Sequence, residues 1–79
     1  MNFLPKLGEN LRAARKDKFP QDDMRSFALR LGISRATLQK MEKGDCSVGL
    51  NNYLSAAELL GCANQFENLF MLEKSLFDD

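Results

Sequence analysis

The sequence predicts an all-α domain built from five short helices, and three observations carry that prediction. Apolar residues recur at helical spacing in successive stretches of the chain. Asp23 and Ser34 stand where N-caps belong, and Gly44 and Gly61 stand where helices stop. Between Met24 and Gly44, the run MRSFALRLGISRATLQKMEKG sets two of the helices on a short turn. At 79 residues there is room for one domain with a small core, and 44% hydrophobic content excludes a wholly disordered chain.

The first helix is expected from about Pro5 to Lys16. Pro5 suits its first turn, and Leu4, Leu7, Leu11 and Ala14 form its inner stripe. A polar linker, Asp17 to Asp23, interrupts it, with Phe19 tucked inward and Pro20 blocking continuation. Asp23 caps a second helix that buries Met24, Phe27, Ala28 and Leu31. Ser34 caps the third, Arg35 to Lys43, which Gly44 ends. The fourth, from about Leu50 to Leu60, buries Leu50, Tyr53, Leu54, Ala57 and Leu60, and Gly61 stops it. From Asn64 onward, Phe66, Leu69, Phe70, Leu72, Leu76 and Phe77 predict a fifth helix, extended or broken near Ser75.

Two short helices that cross steeply need a small side chain where they approach and a residue free to take positive φ at the turn. They also need apolar anchors beyond the turn that reach back into the core. Ala28, Gly32, and Ile33 with Leu38 and Met41 meet those needs. That leaves Arg35, Ala36, Gln39, Lys40 and Lys43 outward on the third helix. Such a polar, basic face is what a DNA major groove requires.

The net charge of zero conceals a division. Residues 1–47 carry ten Lys or Arg against six acids, a balance of +4. Residues 48–79 carry Lys74 against Glu58, Glu67, Glu73, Asp78 and Asp79, a balance of −4. A basic half backed by an acidic half fits a surface that faces DNA and another that stays off the phosphates. No apolar run approaches the roughly 20 residues needed to span a bilayer. Residues 1–23 lack a signal-peptide core, since charges recur from Lys6, so a cytoplasmic protein with no membrane partner is expected. There is no histidine, and Cys46 and Cys62 form no CxxC pair. No four-ligand zinc set, no cofactor and no enzyme activity are therefore expected, for want of metal-binding and acid–base groups. Both cysteines are read as reduced, and Cys62 as buried.

Helices in this order, with LGISRATLQKMEKG over residues 31–44, resemble the Cro and repressor-type helix-turn-helix family, also called the XRE family. The resemblance covers about Leu7 to Leu60. It implies a compact five-helix lambda-repressor-like domain over residues 1–79, with the helix-turn-helix on helices 2 and 3. The apolar residues of 62–79 lead to the expectation of a C-terminal helix or tail involved in dimerisation. The resemblance assigns base reading to Arg35, Ala36, Gln39 and Lys40. Arginine and lysine suit guanine O6/N7, glutamine suits adenine N6/N7, and Ala36 suits a thymine methyl. It assigns phosphate contacts to Gln21, Met24, Arg25, Ser34, Thr37, Lys43, Ser47 and Asn51. Members usually begin helix 2 with a glutamine; Met24 stands there, after a linker about two residues longer than usual, so Gln21 or Arg25 is the expected substitute. The family also pairs an arginine late in helix 1 with a glutamate late in helix 3, here Arg15 and Glu42. That pairing accounts for an acid at a helix C-terminus, where the dipole disfavours one.

The leading expectation is a sequence-specific DNA-binding transcriptional regulator, a repressor or autoregulator, that binds a palindromic operator as a homodimer. A dyad sets two recognition helices about one DNA turn, roughly 34 Å, apart. Phe66 and Leu69 are expected to pack on helices 1 and 4, and Phe70, Leu72, Leu76 and Phe77 to form the dimer interface. The alternative is a HipB-like antitoxin that binds both operator DNA and a toxin partner. A third reading is a helix-turn-helix module used only for protein contacts. The ending Phe77-Asp78-Asp79, soon after an apolar stretch, is compatible with truncation of a longer chain.

Overall fold

The computed structural model of this chain describes residues 3–72, which form five helices. They are α1 (Pro5–Lys18), α2 (Met24–Leu31), α3 (Arg35–Glu42), α4 (Leu50–Leu59) and α5 (Asn64–Glu67). There is no strand among the described residues, and one isolated antiparallel bridge joins Phe3 to Asp45. The class is all-α, as the sequence predicts.

Asp23 accepts a hydrogen bond from the Ser26 amide at 2.8 Å and so caps α2. Ser34 accepts from the Thr37 amide at 3.0 Å and caps α3. Between the two helices, Gly32 takes a left-handed φ of 70°. That turn lets the Ile33 amide reach back five residues to the Ala28 carbonyl at 3.1 Å. A side chain would be strained at Gly32, so glycine is what permits the sharp change of direction.

The core gathers Phe27, Leu38 and Met41, each fully buried, with Leu11, Ala28, Tyr53 and Ala56 around them. Phe19 packs edge-on to Phe27, their centroids 5.7 Å apart, which holds the α1–α2 linker against this core as expected. The Arg30 guanidinium lies over the other side of that linker, 4.5 Å from the Phe19 centroid, and pairs with Asp22.

Helix α1 turns inward a different line from the one its leucines predict. Gly8, Leu11 and Arg15 are buried, whereas Leu4 and Leu7 are 55% and 37% exposed. The cause is the close approach of α1 to the end of α3. A Cβ on Gly8 would stand 2.3 Å from the Glu42 carbonyl oxygen, and one on Gly44 would stand 1.9 Å from that of Leu4. The Leu4 amide donates to the Gly44 carbonyl at 2.7 Å. At the other end of the contact, Arg15 Nε donates to Glu42 at 2.6 Å and Nη2 at 3.2 Å. These side chains are only 5% and 8% exposed.

Similar corrections apply further along. In α4, Tyr53, Ala56 and Ala57 face the core, while Leu50 and Leu54 are 65% and 38% exposed. Two of these three buried residues are alanines, and two of the leucines face outward. Helix α5 is a single turn with no side-chain cap, and Asn64 and Asn68 bound it, both poor helix formers. Phe66 packs on the core as expected, but Leu69 is 54% exposed. Phe70 is 94% exposed and Leu72 78%. Leu76 and Phe77 lie outside the described residues. Cys62 is half-buried rather than buried.

The α1–α3 contact makes a prediction. Glu42→Ala leaves the Arg15 charge buried without its partner, at a cost of about 3–5 kcal/mol. For a domain of this size that lowers Tm by more than about 10 °C. The double variant Arg15→Met/Glu42→Leu should recover most of the loss, since an apolar pair removes the buried charge. Gly8→Ala gives an independent reading. At an open helical site it stabilises by about 1 kcal/mol, but here the clash with α3 makes it destabilising. Thermal melts that rank Gly8→Ala above the parent would show that the helices do not meet at this point.

Candidate nucleic-acid interface

Helix α3 spans eight residues and divides cleanly between core and solvent. Leu38 and Met41 are buried, Thr37 is half-buried at the margin, and the Glu42 side chain is covered by Arg15. Arg35, Ala36, Gln39, Lys40 and the following Lys43 are all exposed. At 100° per residue these five fall within one arc of about 140°. No acid interrupts that arc.

The start of α2 lies beside the start of α3. Arg25 and Arg35 both act on the Asp23 carboxylate, so their charges converge at one edge of the surface. Gln21 and Arg25 are exposed there, and Met24 is half-buried, so its backbone rather than its side chain is what it presents. Ser34 is exposed at the same edge, its hydroxyl donating to Thr37 Oγ1 at 2.9 Å while accepting from the Thr37 amide.

At the opposite edge, the chain leaves α3 through Gly44, whose φ is 77°. The Asp45 amide turns back to the Lys40 carbonyl at 3.0 Å. Asp45 then accepts from the Ser47 amide at 2.8 Å, and Tyr53 donates its hydroxyl to the Asp45 carbonyl at 2.7 Å. This short loop is therefore tied to the core helix α4. Lys43, Ser47 and Asn51 are exposed along it and at the start of α4. Arg15 and Glu42 lie behind the surface and take no part in it, since both are almost wholly covered.

Three features escape sequence reading. Asp45 is a local acceptor that shapes the loop; an aspartate two residues before a serine is the one signal for it. The Tyr53 hydroxyl bond carries no periodic signal at all. Arg30, a base on α2, is committed to Asp22 and Phe19 rather than free at the surface.

No family model, curated protein or solved structure matches the chain. Among the described residues no helix is long and apolar enough to cross a membrane.

The electrostatics predict an acid-sensitive step. The Ser26 amide bond, with help from Arg25 and Arg35, holds the Asp23 carboxyl below its ordinary value of 3.8. Asp45 is held down likewise, first by the Ser47 amide and then by Lys40 and Lys43. A depressed carboxylate adds stability at pH above its unfolded pKa and loses it as pH falls through the folded one. Asp23→Asn keeps the cap acceptor but does not titrate. Melts between about pH 5 and pH 2 should therefore fall less steeply for Asp23→Asn than for the parent. Parallel curves would show that the Asp23 charge contributes nothing to the fold.

Proposed function

We propose that this chain is a sequence-specific, cytoplasmic DNA-binding transcriptional regulator, a repressor or autoregulator that binds a palindromic operator as a dimer. The observation that carries the reading is the outward arc of α3. It is polar, basic and free of acids, on a helix whose opposite side is anchored in the core. A helix with such a face fits the major groove of B-DNA, about 12 Å wide. In this reading α2, the Gly32 turn and α3 form a helix-turn-helix in a lambda-repressor-like arrangement.

Arg35, Ala36, Gln39 and Lys40 then face base edges. Gln21, Met24, Arg25, Ser34 and Thr37 serve the phosphates at one margin, and Lys43, Ser47 and Asn51 those at the other. Backbone contacts from both margins set the register, and the α3 side chains carry the specificity. The ties of the loop to Tyr53 and of α3 to Arg15 support this reading, because base recognition needs a helix fixed relative to its flanking phosphate contacts. A lone recognition helix covers few base pairs, which is why the proposal includes a dimer.

Site selection from random DNA followed by two variants tests the proposal. Gln39→Ala should change the preferred base at one position of each half-site, at a cost of about 1–3 kcal/mol there. Lys43→Ala should weaken binding to every sequence alike and flatten the salt dependence by roughly one charge per subunit. If the selected site stays the same for Gln39→Ala, α3 does not read bases through that residue. If the parent selects no site and binds no DNA at low salt, the proposal fails outright.

A further inference from the structure

The loop that follows α3 is tied to the core by one side chain of α4. Tyr53 is only 7% exposed, and its ring belongs to the core cluster. The ring also lines a groove of about 420 Å³ between α1, α4 and α5, where Leu11 and Phe66 are among its neighbours. Its hydroxyl donates to the Asp45 carbonyl at 2.7 Å, across eight positions of sequence. The same carbonyl accepts from the Val48 amide at 3.3 Å. The other polar groups of Asp45 are engaged nearby. Its amide donates to the Lys40 carbonyl at 3.0 Å, and its carboxylate accepts from the Ser47 amide at 2.8 Å. These local bonds act within five residues and fix the shape of the turn. The Tyr53 bond joins the turn to the core, and so fixes where the turn sits. Burial, and then the neighbouring Cys46 and Asp45, push the Tyr53 hydroxyl above its ordinary value of 10.0. At neutral pH it therefore keeps its proton and remains a donor.

We infer that Tyr53 is a positioning residue for phosphate contact, setting the loop that carries Lys43 and Ser47 against Asn51 on its own helix. The inference deepens the proposed function, since it names what governs the contacts at this margin, and it rests on that reading. Lys43 and Ser47 lie two residues to either side of Asp45, and Asn51 lies two residues before Tyr53. All three are exposed. They therefore straddle the bond, and the bond sets their spacing. That spacing matters because the phosphates of a duplex recur at fixed intervals. Helix α3 is seated separately, by Leu38, Met41 and the Arg15–Glu42 pair. Tyr53 thus governs affinity and leaves base preference to the α3 side chains.

Tyr53→Phe tests this, because it keeps the ring and removes the donor. The Asp45 carbonyl retains the Val48 amide, so the variant folds, which circular dichroism checks. Nuclear magnetic resonance on the free protein reads the loop without DNA. Order parameters at Ser47 and Val48 should fall toward the flexible range, below about 0.6, while those at Leu38 and Met41 stay near about 0.85. A loss of global stability alone would not move them in this pattern. On the parent's selected site, Tyr53→Phe should bind about three- to tenfold more weakly, the range that one lost hydrogen bond allows, with the same preferred bases. Adding Ser47→Ala should cost less affinity in Tyr53→Phe than in the parent, whereas Gln39→Ala should cost the same in both. Unchanged order parameters at Ser47 and Val48 overturn the inference with no DNA involved. A parent that binds its site and a Tyr53→Phe chain that binds it equally well also overturn it, and leave the DNA reading standing. A parent that binds no DNA while the loop loosens in the variant defeats the DNA reading, and reduces the Tyr53 bond to a tie within the fold.

Discussion

The approach of α1 to the C-terminal end of α3 is the constraint on which the exposed surface depends. Eight residues of helix are too few to be stable alone in water. Helix α3 exists because Leu38 and Met41 enter the core, and its end is fixed because Gly8 and Gly44 let two backbones meet. The Arg15–Glu42 pair closes the contact at a point nearly sealed from water. A buried ion pair is weak evidence for net stability, since desolvation offsets most of the attraction. Its geometry is another matter. A guanidinium fork that makes two bonds to one carboxylate accepts few orientations, so the pair sets the rotation of α3 about its own axis. That rotation decides which residues face solvent.

The parts of this arrangement that were legible in the sequence are those with a local rule. Asp23, Ser34 and Gly32 each act on their own neighbours within five residues, and Gly44, which also abuts Leu4, stands where helix-end chemistry places it. The outward arc of α3 was also legible, because one buried side at helical spacing leaves only one exposed side. What periodicity misread is which line of α1 and α4 faces inward. Counting leucines favours Leu4, Leu7, Leu50 and Leu54, but Gly8 makes the closest approach on α1, and Ala56 and Ala57 are buried on α4 in their place. A small residue at a helix crossing gains from proximity, not from its own hydrophobic area, and a count of apolar side chains does not register that. The Tyr53 bond to the Asp45 carbonyl was invisible for a different reason. It joins a side chain to a backbone group, and no residue type at Asp45 was needed to predict an acceptor there.

The two aspartates at the margins of the basic surface show how local and long-range electrostatics divide. Each carboxylate is engaged by a backbone amide, so each has a structural duty that a neutral residue of similar shape shares. Each also stands among bases that favour its ionised form. The surface therefore holds a basic centre bounded by two fixed negative charges rather than an unbroken field. In the proposed DNA reading, a bounded patch makes binding depend on where the phosphate backbone runs. The same acids that cap α2 and shape the α3–α4 loop thus also confine the region that attracts an anion.

The displaced leucines have the same origin as the tight junction. In a chain of 79 residues the core is small, and each close helix contact made through glycine or alanine leaves a larger neighbour outside it. Leu4 and Leu7 flank the Gly8 contact and stay exposed, and a cleft lined by Leu4, Leu7, Leu50 and Tyr53 adjoins the main groove. The α1–α3 contact and the open apolar face are therefore two results of one choice of residues. Substituting a larger apolar side chain at Gly8 would not simply enlarge the core. It would force α1 away from the end of α3, the contact that sets the attitude of that helix.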